Sequence, residues 1–317
     1  MVIDFPLAAG SFLVAIVVGL TGMGGGALMT PMMMLFFNVP PLAAVSSDLV
    51  ASAVMKPVGG LVHLRRGTVN LRLVGWLCAG SVPSAFCGVL VARAFGDGEQ
   101  LQQAIRYALG ITLLLAVAGL VAKTWLSRHE GKSSADLGDI VVRPFPTLLV
   151  GTVGGLIVGI SSVGSGSLII VALLALYPAL KANQLVGTDL VQAVPLVVSA
   201  AFGHLLFGDF QLDITTSLLA GSIPGVYLGA RISARAPGGV IRALLAVVLL
   251  ASALKLLGAG NAATLWILAG AVIAGAAGWS LVRNRGRAEV GIAGEVLEGP
   301  QATGSGVEPG VSPGSTR

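Results

Sequence analysis

From Leu7 to Phe37 the chain runs for 31 residues without a charged side chain, and inside that run stands Thr21-Gly22-Met23-Gly24-Gly25-Gly26. As one helix the run would be roughly 46 Å long at ~1.5 Å per residue, against about 30 Å of bilayer hydrocarbon. Glycine loses more conformational freedom in a helix than any other residue, so the cluster is where such a helix breaks. Two half-helices meeting at the glycines are expected. The backbone groups freed there must face protein or a water-filled cavity, because lipid offers no hydrogen-bond partner. A half-helix starting near Gly26 would aim unpaired N–H groups and partial positive charge at the membrane middle, where an anion can be held.

The stretch recurs. Gly19, Gly24 and Gly26 reappear as Gly159, Gly164 and Gly166, 140 positions on. After one inserted residue the match continues at an offset of 141: Asp48 with Asp189, His63 with His204, Gly67 with Gly208, Gly80 with Gly221, Pro83 with Pro224 and Gly88 with Gly229. One register holding so many Gly, Pro, His and Asp coincidences marks a tandem duplication.

With 55% hydrophobic and 10% charged residues and a mean hydropathy of +0.91, the chain has too little polar surface to cover a soluble globule. Its apolar runs are continuous, which excludes a β-barrel. An all-α integral membrane protein is expected, built as two inverted repeats. Each repeat would hold a broken, re-entrant glycine-rich segment and three spanning helices. The expected boundaries are 1–123 for the first transmembrane repeat, 124–143 for a cytoplasmic connection, 144–257 for the second repeat, 258–282 for an extra transmembrane helix and 283–317 for a disordered cytoplasmic tail. No removable signal peptide is expected, since the N-terminus lacks a basic region and a small-residue cleavage site. Cys78 and Cys87 lie roughly 13 Å apart along one predicted helix, too far for a disulfide.

Basic residues collect in cytoplasmic loops, and this decides the orientation. With both broken segments re-entrant and the N-terminus outside, 15 Lys and Arg fall inside and only Arg93, Arg106 and Lys255 fall outside. With both segments crossing and the N-terminus inside, the split is 8 to 10. An odd number of full spans per repeat turns the second half upside down relative to the first, so the glycine breaks approach one another from opposite faces. The C-terminus is then cytoplasmic.

Ionisable side chains within a membrane are costly, so they are candidate functional groups. At ~100° per residue, Ser52, Lys56 and His63 sit about 40°, 80° and 60° around the helix from Asp48, on one face. The repeat carries Asp189, Gln192 and His204, with Pro195 as a kink position. The candidate substrate ligands are Thr21, Gly24, Gly25, Gly26, Ser47, Lys56, Ser162, Gly164, Ser165, Gly166 and Thr188. Candidate coupling or gating residues are Asp48, His63, Asp189, Gln192 and His204. Plainer readings stand beside these. Asp48 and Asp189 could cap helix N-termini, the histidines could sit idle at an interface, Lys56 could snorkel, and the Gly-x-x-x-Gly spacings suit close helix packing.

An intramembrane serine hydrolase is a remote alternative, because Gly164-Ser165-Gly166 has no serine in its counterpart Gly24-Gly25-Gly26. Three histidines, none at ligand spacing from an acidic residue, argue against a metal site. No strand-turn-helix unit surrounds the glycines, so no nucleotide cofactor is expected. The +5 net charge is explained by orientation and not by nucleic acid.

Thr21-Gly-Met-Gly-Gly-Gly26 with Pro31, Ser47-Asp48-Leu49, Lys56 and His63-x-Arg65-Arg66-Gly67 resembles the first half of the sulfite exporter TauE/SafE family of membrane permeases. Gly187-Thr188-Asp189-Leu190, His204 and Gly221-Ser-Ile-Pro-Gly225 resembles its second half, so the likeness covers about residues 5–257. What the resemblance implies is transport of a small sulfur-containing anion, such as sulfite, thiosulfate or an organosulfonate, across the bacterial inner membrane. Proton-coupled secondary transport is the leading expectation, and a passive anion channel is the alternative.

Overall fold

The computed structural model describes residues 3–21, 25–94, 98–126, 140–180, 182–233, 238–271 and 273. Residues 1–268 form one compact unit; of the second, 269–317, only 269–271 and 273 are described, and they are helical. The expected extra span at 258–282 is helical over Asn261–Ala271. Its remainder beyond 273, the expected tail and 127–139 of the expected connection lie outside the described residues.

The described chain is all helix: α1 Phe5–Thr21, α2 Gly26–Phe36, α3 Pro41–Arg65, α4 Leu71–Ala94, α5 Glu99–Leu126, α6 Pro144–Ser161, α7 Leu168–Leu176, α8 Ala182–Phe207, α9 Leu212–Ser233 and α10 Gly238–Leu256. Five of the described helices, α3, α4, α5, α6 and α8, are long and apolar enough to cross a bilayer. Large apolar side chains stand exposed on many of the helices, among them Leu13, Ile111, Leu149, Phe202, Tyr227 and Leu244. In water such a surface would drive association; in a bilayer it is the solvent-facing side.

Both broken segments fold back on themselves. A methyl group added at Gly10 would lie 3.1 Å from the Phe37 ring and 3.3 Å from Met32 Sδ, so α2 returns along α1. In the repeat, the Tyr177 hydroxyl is 2.6 Å from Thr147 Oγ1 and accepts the Arg143 N–H at 2.8 Å, while Gly154 abuts Ile169. α7 therefore returns along α6.

Each hairpin packs on the other half of the chain. Methyl groups at Gly221, Gly225 and Gly229 of α9 would lie 2.0, 2.5 and 2.2 Å from the carbonyl oxygens of Ala8, Phe12 and Ile16 of α1. At the matching places, methyls at Gly80 and Gly88 of α4 would lie 2.3 and 2.6 Å from the carbonyls of Leu148 and Leu156 of α6. The four helices thus form two parallel, backbone-to-backbone pairs related by exchange of the repeats. Without a hydrophobic force between helices in lipid, such close approach supplies the dispersion and weak Cα–H···O contacts that hold them. The equivalent helices α3 and α8 run antiparallel: Ser46 meets His204, Gly60 faces Val194, and Gly187 faces His63.

Larger residues at the paired glycines should unfold this arrangement. Gly221→Val and Gly80→Val place carbons against backbone that cannot swing away, a cost of about 1–3 kcal/mol or more each. Gly75→Val, on the exposed side of α4 with nothing within 4 Å, serves as the comparison. Thermal melting in detergent should show large losses for the first two and little for the third.

Candidate functional site

The α6–α7 turn is shaped by left-handed backbone: Ser162 has φ 57°, Gly164 φ 128° and Gly166 φ 96°. Glycine adopts the last two without a Cβ penalty. Against this tip stands Gly26, the first residue of α2, where a methyl would lie 2.1 Å from the Ser162 carbonyl oxygen. The two hairpin tips therefore touch. α7 begins at Leu168, two residues beyond Gly166, and the Ser167, Leu168 and Ile169 N–H groups all turn to the Gly164 carbonyl at 3.3, 3.0 and 3.4 Å. At the start of α7 the tight turn thus gathers three N–H groups onto one carbonyl.

Asp48 and Lys56 on α3 reach these tips. The Asp48 carboxylate, 1% exposed, accepts one hydrogen bond from Ser162 Oγ at 2.5 Å and one from Thr30 Oγ1 of α2 at 3.2 Å, both on Oδ2. It thus ties the two hairpins together. Two turns further along, the Lys56 ammonium donates to Ser165 Oγ at 2.5 Å and lies within electrostatic reach of both Asp189 and Asp48. On α8, Asp189 accepts from Gln192 Nε2 at 3.3 Å, and Gln192 Oε1 accepts from Ser81 Oγ at 3.2 Å. The carboxylates do not cap their helices. α3 and α8 begin at Pro41 and Ala182, about two turns earlier, so both acids are interior polar groups that need partners.

Other expected site residues lie elsewhere. Ser47 Oγ donates to the Gln211 carbonyl at 3.5 Å, and Thr188 Oγ1 accepts the Asn70 N–H at 3.1 Å. These matched contacts pin α3 and α8 to the turns of the opposite half, away from the hairpin tips. His204 is fully buried: Nε2 donates to the Gly159 carbonyl at 2.8 Å and Nδ1 meets Ser46 Oγ at 2.9 Å. Ser46 Oγ also accepts the Asp209 N–H at 3.3 Å, so the serine links His204 to the α8–α9 turn. His63 is half-buried, with Nδ1 2.9 Å from Thr68 Oγ1. Gly25 starts α2, its carbonyl accepting the Leu28 and Met29 N–H groups at 3.0 and 2.9 Å. Thr21 ends α1; its side chain and Gly24 lie outside the described residues.

Thr30, Ser46 and Ser81 escaped the sequence reading. Their hydroxyls look like ordinary helix polarity, and none was marked by a shared Gly, Pro, His or Asp. A cavity of about 800 Å³ is lined by Leu71, Arg72, Gly75, Trp76, Ala79, Ile140, Val141, Val142 and Pro144. None of the expected site residues lines it. Among the described residues, no group of three His, Cys, Asp or Glu could hold a metal ion.

Removing His204 takes a buried partner from the Gly159 carbonyl and another from the Ser46 hydroxyl, at about 1–3 kcal/mol. His204→Ala should therefore melt well below the wild type, and His63→Ala close to it.

Residues 7–256 match the family described as sulfite exporter TauE/SafE. The chain is 37% identical over 245 residues to the probable membrane transporter protein YjnA of Bacillus subtilis, covering 77% of this chain and 96% of the relative. It is 22% identical over 233 residues to the probable membrane transporter protein YdhB of the same organism, covering 73% and 91%. No solved structure matches.

Proposed function

The chain belongs to the sulfite exporter TauE/SafE family and is a multi-pass membrane transporter, and from that premise we propose that it moves a small sulfur-containing anion by proton-coupled secondary transport. Sulfite, thiosulfate and organosulfonates are the candidate substrates, and the bacterial inner membrane is the proposed location. The observation that carries the reading is the buried Lys56–Ser165 contact where the two hairpin tips meet. The Lys56 ammonium, bonded to a neutral hydroxyl and within electrostatic reach of Asp48 and Asp189, is the buried cation that an entering anion can meet. An anion displacing Ser165 from Lys56 would exchange one charge-assisted hydrogen bond to a neutral hydroxyl for pairing with a full opposite charge.

Asp48 and Asp189 supply the coupling. Both oppose an incoming anion, so each is more easily accommodated once protonated. Linkage is reciprocal: a proton on Asp48 favours the anion, and the anion favours the proton. Apparent anion affinity should then rise as pH falls. Lys56→Gln is expected to raise KM by tenfold or more, Ser165→Ala to change it less, since one neutral hydrogen bond contributes about 0.5–1.5 kcal/mol, and Asp48→Asn to flatten the pH dependence. Uptake of radiolabelled sulfite, thiosulfate and ethanesulfonate into proteoliposomes at several pH values measures all three. Flux that never exceeds the anion's own gradient would instead identify a passive channel.

The antiparallel course of α3 and α8 supports inverted repeats, with the domain boundaries given above and both hairpins entering the bilayer from opposite faces. The N-terminus is then outside. In a background lacking Cys78 and Cys87, cysteines at Asp213 and Arg72 should be labelled by an impermeant reagent from opposite sides. Labelling of both from one side rules the arrangement out.

A further inference from the structure

Ser167 is 8% exposed, and its hydroxyl is the one buried side-chain N or O atom without a hydrogen-bond partner among the described residues. It stands at the N-cap position of α7, where serine ordinarily accepts from an N–H of the first turn. Here its side chain makes no cap bond: its backbone is at φ −123°, ψ −65°, and the Leu168 and Ile169 N–H groups go to the Gly164 carbonyl. Two residues before it on the same tip is Ser165, whose Oγ holds the Lys56 ammonium.

The duplication sharpens the point. The matching position in the first half is Ala27, likewise buried at the start of a returning half-helix, so the architecture needs no hydroxyl there. Other polar groups at this tip share that one-sidedness. Lys56 answers to Val197, Ser162 to Gly22 and Ser165 to Gly25. By contrast, Ser47 with Thr188 and His63 with His204 are present in both halves and sit at the helix ends. Ser162, Ser165 and Ser167 thus line the second tip beside one buried cation, where the first tip carries Gly22, Gly25 and Ala27.

We propose that Ser167 is a direct ligand of the transported oxyanion, donating its hydroxyl hydrogen to one oxygen while Lys56 engages another. This rests on the anion-transport reading and assigns the binding to the second tip instead of to both equally. A multi-oxygen anion suits donors spaced along a turn.

The test titrates purified full-length protein with sodium sulfite, sodium thiosulfate and sodium ethanesulfonate, following thermal stabilisation, with KM measured in proteoliposomes. Ser167→Ala should melt no lower than the wild type without anion, because it removes an unsatisfied group. It should need about three- to tenfold more anion for half-stabilisation and raise KM by a similar factor with kcat little changed. Ser167→Gly removes the hydroxyl without adding bulk and gives the same result where the Ala variant folds poorly. A wild type stabilised by an anion with a midpoint that neither variant shifts leaves the hydroxyl as a partner of water only and overturns the proposal alone. A wild type that responds to none of the three anions overturns the transport reading, and the proposal with it.

Discussion

A helix interrupted inside a bilayer leaves backbone polar groups that lipid cannot satisfy, and the rest of this molecule follows from where those groups go. Neither hairpin can hide its own tip. The contact of Gly26 with the Ser162 carbonyl, and the Asp48 carboxylate bonded to Thr30 and Ser162, let each broken segment close the other. Asp48 is therefore both a structural tie and a titratable group. A proton arriving there alters the bonds that keep the two hairpins in register, which is a direct physical route from charge to conformation.

The close helix pairs set the geometry in which this happens. Because α1 lies on α9 and α6 on α4 at backbone distance, each hairpin moves with helices of the opposite half. Packing of that kind resists continuous deformation and favours discrete arrangements. The half-buried His63 and the fully engaged His204 occupy matching positions in unlike surroundings. The two repeats therefore give one residue type unequal access to solvent in one structure.

Much of this was legible in the letters. The charge-free run with its glycine cluster announced a broken membrane segment, and the 140- and 141-residue offsets announced the duplication, because glycine, proline, histidine and aspartate each have few positions they can fill. Asp48, Lys56, Ser162 and Ser165, separated by more than 100 residues in sequence, do come together. Ser47 and Thr188 do not join them, since a hydroxyl near a helix start reads alike whether it binds a ligand or a neighbouring turn. Thr30 and Ser81 were invisible because their importance lies in the partner they meet. Nor could spacing reveal that Gly164 turns its carbonyl onto three successive N–H groups, as that depends on φ values only a folded turn displays.

The pairing of α1 with α9 reaches beyond the finished molecule. Asp4 hydrogen-bonds Ser217 across 213 residues of chain, so the first hairpin leaves the ribosome long before its seat exists. At about 5–20 residues per second the delay is roughly 10–40 s. Through that interval the α1–α2 hairpin, with its glycine break and without α9, must be sheltered by the insertion machinery or wait at the bilayer surface. Biogenesis of this protein is then a problem of storage: a segment made early is among the last to find its place.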